Sequence, residues 1–198
     1  PDAPPAANPP PPPSPESLAE ARRLYVEGRT ALAENRTLIA VRALERALEK
    51  DPGSIDILIA LSRSYQRAGN PAKATELRER VLRLDPENAE ALVAIGWRSI
   101  ESGDDIAVVR HFGRIFLMPE ADRVRAFGSM RPGAEGLAEL ALARSLRRLS
   151  ADAATIEVLE RTTRRAPAAG STGRAEAEAI RALGDAYARR GDIAAAVA

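Results

Sequence analysis

The sequence predicts an all-α fold, a solenoid of about five stacked helix pairs with the last one truncated. Three observations predict it. Asp-Pro stands at Asp51-Pro52 and again 34 residues later at Asp85-Pro86, and both are followed by a polar cap and an apolar run. The apolar residues between these marks fall three and four apart, the spacing of one helix face. Aromatic residues make up only 4% of the chain while alanine is abundant, a composition suited to close helix packing rather than to a sheet core.

The elements follow in order. Residues 1–16 contain nine of the 15 prolines. Proline donates no backbone hydrogen bond and favours extended polyproline II, so this stretch reads as a spacer or disordered tail. Helix is expected from Ser17, with Ser17 and Glu20 as a reciprocal capping box. The region 17–198 then divides into units at about 21–54, 55–88, 89–122, 136–169 and 177–198. Leu24, Gly28, Ala31, Ala40, Leu44 and Ala47 carry the first unit.

In the second unit Ser54 caps a helix holding Leu58, Leu61 and Tyr65. Gly69-Asn70 ends that helix and caps the next, and Ala74, Val81 and Leu82 follow. Asn88, Leu92, Ile95, Gly103-Asp104, Val108, Phe112, Ile115 and Phe116 repeat the plan. Leu142, Ala143, Leu146 and Leu159 give a weaker fourth unit, and Ile180, Leu183, Gly184, Tyr187 and Gly191-Asp192 begin a fifth. Ala60, Ala94, Ala143 and Gly184 are expected where helices approach closely.

The phase breaks twice. Thirteen extra residues lie between the third and fourth units, at about 119–136, with a short helix over 122–127 and a turn at Pro132-Gly133. Loop growth explains this, as solenoids tolerate it; the alternative is a flap over the binding surface. Seven extra residues around "APAAGSTGR" read as a loop. The apolar end "IAAAVA" does not resemble the polar cap that closes a solenoid. A continuation of the array or a covering chain is therefore expected there.

Composition excludes several functions. No cysteine is present, so no disulfide or thiolate chemistry is available. Basic and acidic residues number 29 and 28, which argues against a general polyanion binder. Only Lys50 and Lys73 are lysine, and the remaining basic residues are arginine. No apolar run approaches the ~20 residues of a membrane-spanning helix. His111, the sole histidine, has no partner for acid–base or metal work, and no phosphate loop, dinucleotide fingerprint or hydrolase motif occurs. No catalytic residue, cofactor or metal is assigned. Glu45, Glu49, Glu76 and Glu79 are expected to pair along their own helices with Arg42, Arg46, Arg80 and Arg83.

The 34-residue helix–turn–helix period, with a small residue between apolar slots and alanine in the second helix, resembles the tetratricopeptide repeat. The match is best over "ILIALSRSYQRAGNPAKATELRERVLRLDP", where Leu58, Leu61, Tyr65, Gly69, Ala74 and Pro86 fit and Ser62 stands for the usual Gly or Ala. Glu27 and Arg78 depart from apolar slots. The resemblance implies a right-handed superhelix whose first helices line a concave groove, and a non-enzymatic scaffold for a peptide segment or protein partner. The family's chaperone-tail clamp uses Lys and Asn on first helices, and neither stands at those positions here.

Projection of the first helices puts Arg29, Arg63, Trp97, Arg144 and Arg148 on that surface as partner-binding residues, beside Val93, Leu140, Arg147, Arg181 and Asp185. Trp97 either anchors a partner or covers the gap left by Gly96. The arginine row suits an acidic protein or peptide. The alternative is a self-associating module whose groove holds its own tail or a neighbouring chain. Single-stranded RNA is disfavoured by the balanced charge and scarce stacking aromatics.

Overall fold

The structure, a computed structural model, describes residues 12–128, 130, 133–164 and 174–191. Among these it contains ten α-helices and no strand. Most of the Pro-rich segment, Pro132, residues 165–173, which hold all of the "APAAGSTGR" stretch but Arg174, and everything after Gly191 lie outside the described residues. The chain divides at Asp85/Pro86 into two bodies.

The first body contains α1 (Pro15–Ala33), α2 (Thr37–Lys50), α3 (Ile55–Arg67) and α4 (Pro71–Leu84). Each helix packs on the next, and α1 also touches α3. Ala21, Leu24, Ala47 and Ile57 form one part of the core. Val41, Leu44, Ala60, Leu61, Tyr65 and Ala74 form the other, with Tyr25 and Leu48 packed against both.

Helix α1 starts two residues before the expected point. Ser14 is its cap, accepting from the Ser17 amide at 3.2 Å, with Pro15 in the first turn where its missing N–H costs nothing. The expected capping box is not formed. The Ser17 hydroxyl instead donates to the Lys50 carbonyl at 2.8 Å, and Glu20 pairs with Lys50 Nζ at 2.8 Å. Both groups thus tie the start of α1 to the end of α2.

The second body contains α5 (Ala89–Ser102), α6 (Asp105–Leu117), α7 (Glu120–Phe127), α8 (Ala134–Arg148), α9 (Asp152–Arg164) and α10 (Arg174–Arg190). Helix α6 packs on α5 and α8, and α9 on α8 and α10. An edge-linked aromatic series runs through its core. Trp97 meets Phe112 at 5.6 Å between ring centroids, Phe112 meets Phe116 at 6.4 Å, and Phe116 stacks on Phe127 at 6.2 Å.

The insertion at 119–136 is therefore more than a loop. Its helix α7 packs against α5, buries Phe127, and is held by Arg123, which pairs with Glu135 at 2.8 Å and donates to the Met118 carbonyl at 3.3 Å.

One backbone position marks the repeat. The residue between the two helices of a pair has positive φ at Asn35, Gly69, Gly103 and Ser150, and Gly191 follows α10 in the same way. After the first four, the next amide reaches back five residues: Arg36 to Ala31, Asn70 to Tyr65, Asp104 to Ser99 and Ala151 to Leu146, all within 3.0 Å. This left-handed stop satisfies carbonyls that the helix end would leave open. Asn70 and Asp104 then cap the second helices through the amides of Lys73 and Ala107.

Helices within a pair approach at a glycine. A Cβ added to Gly28 would stand 2.5 Å from Leu44 Cγ, and one added to Gly96 would stand 2.8 Å from Phe112 Cζ. By contrast, Ala94 is only half-buried, so the close approach on α5 belongs to Gly96.

These sites give a test of sign. Glycine-to-alanine substitution inside a helix ordinarily stabilises by roughly 1 kcal/mol. Gly113→Ala, with nothing within 4 Å of its added Cβ, should show that gain. Gly28→Ala and Gly96→Ala should instead lose about 1–3 kcal/mol through overpacking. Urea unfolding of the three variants measures all of this, and a gain at Gly28 or Gly96 would show that Leu44 or Phe112 retreats freely.

Candidate functional site

The sequence-predicted partner-binding residues fall on first helices but differ in surroundings. In the first body Arg29 is exposed and lies over the Tyr25 ring, 5.7 Å from its centroid. Arg63 is exposed on α3. In the second body Trp97 is half-buried against Phe112, with its Nε1 buried and lacking a hydrogen-bond partner among the described residues. The gap at Gly96 is filled by the Phe112 ring, and the indole packs on that ring's edge. Val93 and Leu140, expected on the same surface, are buried.

Two of the arginines are already engaged within the chain. Arg148 forks onto Asp105 of α6, with Nε 2.6 Å from Oδ2 and a second nitrogen on Oδ1. The Ser145 hydroxyl donates to the same carboxylate at 2.7 Å. These bonds, Arg148's first and Ser145's second, hold the Asp105 carboxyl below its ordinary range. Arg148 thus clamps α8 to α6. Arg144 pairs with Glu178 and so joins α8 to α10.

An open cleft of about 560 Å³ lies between α8 and α10 over α9. Leu140, Ala143, Thr155 and Leu159 contribute its buried floor, and Arg144, Arg147, Arg181, Glu178 and Asp185 line it as well. Sequence reasoning had placed Leu140, Arg144, Arg147, Arg181 and Asp185 on this side. It missed Glu178, whose role depends on the distance between two helices separated by an insertion.

Another buried feature had no sequence signal. Glu139 on α8 is 0% exposed, and its Oε1 faces Arg161 Nε of α9 at 3.5 Å. The Arg161 guanidinium also lies over Phe116, 5.1 Å from the ring centroid. This charge pair locks α6, α8 and α9 together. It offers no second acid or base for catalysis.

His111 is half-buried on α6, and burial, with Arg110 and Arg114 adding to it, lowers its pKa from the ordinary value. It is therefore neutral at pH 7. Among the described residues no cluster of three His, Asp or Glu side chains could hold a metal ion, and no helix is long and apolar enough to cross a membrane. Two of the residues expected to pair along α2 and α4 have other partners. Glu45 accepts from the Tyr65 hydroxyl, and Arg80 donates to the Pro52 carbonyl.

Comparison with known proteins agrees with this helix arrangement. Residues 31–95 match the tetratricopeptide-repeat family model. No curated protein matches the chain. A crystal structure of MamA is similar over 90% of this chain and 86% of its own, at 20% identity and a TM-score of 0.58. A second MamA structure, 21% identical, covers 86% and 88% with a TM-score of 0.54. YrrB, described as a TPR protein with an unusual peptide-binding site, covers 91% and 84% at 16% identity with a TM-score of 0.62. At these identities the shared property is the fold of paired helices.

Two outcomes follow from the geometry. Asp105 has a lowered folded pKa, so its pairing contributes stability that is full above about pH 4 and lost as pH falls through the lowered value. Arg148→Ala should thus cost about 1 kcal/mol at pH 7, with the deficit closing towards acid pH in unfolding titrations. Trp97→Ala should itself destabilise the second body by about 2 kcal/mol, because the indole covers Phe112. Trp97→Phe, which keeps a ring and removes an unpaired donor, should cost less than half of that.

Proposed function

We propose, on the premise that residues 31–95 of this chain are tetratricopeptide-repeat sequence, that the protein is a non-enzymatic scaffold holding a peptide segment of a protein partner. The observation that carries this reading is the cleft between α8 and α10. It combines an apolar floor with an arginine-bearing rim, the two features that anchor and orient a peptide. Leu140, Ala143 and Leu159 lie buried beneath the floor, Ala182 beside them is partly exposed, and Arg147 and Arg181 make no ion pair among the described residues.

An acidic or carboxylate-bearing peptide suits this rim. The guanidinium fork donates two parallel hydrogen bonds to a carboxylate. Arg144 is held by Glu178, so a ligand carboxylate would have to exchange with that side chain. On the first body, Arg29 and Arg63 are proposed as partner contacts in their own right, separately from the cleft of the second body. Trp97 contributes its exposed edge, while Arg148 serves by keeping α8 on α6. YrrB, similar in fold, is described as having an unusual peptide-binding site.

An array of immobilised peptides, probed with the purified protein, tests this directly. Acidic peptides with an apolar residue beside the carboxylates should be retained. Binding should weaken by roughly tenfold or more in Arg147→Glu/Arg181→Glu, and more strongly at low salt than at high salt. Equal retention by wild type and variant, with folding confirmed by circular dichroism, would move the contact surface away from this cleft.

A further inference from the structure

The first body carries a second cleft on a different set of helices. It measures about 560 Å³ and lies among α2, α3 and α4. Its two walls come from second helices, α2 and α4, whereas the proposed peptide cleft is built on the first helices α8 and α10. We infer that this cleft is a docking site for a cationic amphipathic segment of a protein partner, taking an arginine or lysine between Glu49 and Glu76 with its aliphatic stem on Leu48 and Leu77.

The argument starts from the floor. Tyr65 and Leu61 of α3 are buried at the base, while Leu48 and Leu77 pack against the core and remain only partly buried. This leaves apolar surface inside a walled depression, which a partner side chain can cover.

The charges decide the chemistry of the occupant. Three carboxylates, Glu45, Glu49 and Glu76, line the cleft with two cations, Lys73 and Arg80. Both cations are engaged. Lys73 Nζ lies over the Tyr65 ring, 4.9 Å from its centroid, and donates to the Tyr65 hydroxyl at 3.2 Å. That hydroxyl in turn donates to Glu45. Arg80 donates to the Pro52 carbonyl. Three carboxylates against two cations leave the cleft with a net negative charge, and Glu49 on one wall and Glu76 on the other are both exposed.

The Lys73 contact is also informative about preference. It shows the cleft accommodating an alkylammonium on the Tyr65 face beside a carboxylate, with hydrogen bonding to Tyr65 raising the Lys73 pKa from its ordinary value. A partner cation placed between Glu49 and Glu76 would meet the same kind of surroundings one turn away on each wall. Long cationic side chains bury their methylene stems on apolar surface while their heads meet carboxylates. An anionic segment would meet a cleft whose carboxylates outnumber its cations three to two.

Two synthetic helical peptides test the site by fluorescence anisotropy against the full chain. One has leucines at i, i+3, i+4 and i+7 flanked by arginines, and its twin has glutamates for the arginines. The arginine peptide should bind, and Glu49→Lys/Glu76→Lys should weaken it by about tenfold or more. Arg147→Glu/Arg181→Glu, in the other body, should leave that binding unchanged. Leu77→Ala should weaken the arginine peptide at both low and high salt, as expected of an apolar contact. Failure of the arginine peptide to bind, equal binding to the Glu49→Lys/Glu76→Lys variant, or equal binding of the glutamate twin to wild type would each overturn the inference. These outcomes are independent of the acidic-peptide array, which reads the second body.

Discussion

A small residue on the first helix of a pair sets how near the second helix can come, and the rest of the packing is arranged around that approach. Gly28 receives Leu44 and Gly96 receives Phe112, each sixteen residues further along the chain. Ala143 and Leu159, both buried, stand at the same spacing in the fourth pair. A Cβ at either glycine would overlap the incoming side chain, so the helix axes would have to separate. In the second body much depends on that distance. Phe112 is 0% exposed, and the series from Trp97 to Phe127 is built outward from its ring. Arg161 lies on Phe116 and meets Glu139, so even the buried charge pair inherits its position from the glycine slot.

The second pair solves the same problem differently. Ser62 occupies the small slot and its hydroxyl is satisfied locally by the Ile59 carbonyl at 2.8 Å. Sixteen residues on stands Arg78, which donates to Gln66 at 3.1 Å. The core of this pair therefore rests on Leu58, Leu61, Tyr65, Ala74 and Val81, all buried. Arg78 looked like a defect in the repeat when read as sequence. In three dimensions Arg78 stands outside the core cluster of Val41, Leu44, Ala60, Leu61, Tyr65 and Ala74 and reaches Gln66 instead.

The fold was legible because its determinants are local. The left-handed stops lie at Asn35, Gly69, Gly103, Ser150 and Gly191, and the caps Asn70, Asn88 and Asp104 each act within three residues. Period and phase could be counted from residue types alone. The first helix was misread at its start, since Ser14-Pro15 and Ser17 both satisfy the local rule and only the Lys50 carbonyl decides between them. The candidate site was less legible, for a related reason. Glu139 looks like any solvated glutamate until Arg161 arrives from α9, and Arg148 looks like a free cation until Asp105 arrives from α6. Helix α7 was partly visible as a short amphipathic stretch, but its docking depends on Phe127 finding Phe116.

Arginine abundance made the surface hard to read from composition, and the structure separates the arginines by what they already hold. Arg148, Arg144, Arg123 and Arg161 each meet a carboxylate of another segment, so their charge is used in holding helices together. A formal net charge of +1 then says little about any one surface. Local charge is set by which partners have been removed from the balance. In the α8–α10 cleft, the Arg144–Glu178 pair cancels and leaves Arg147 and Arg181 against Asp185. In the α2–α4 cleft, Glu45, Glu49 and Glu76 outnumber Lys73 and Arg80 by one. The two clefts thus differ in sign although the chain as a whole is nearly neutral.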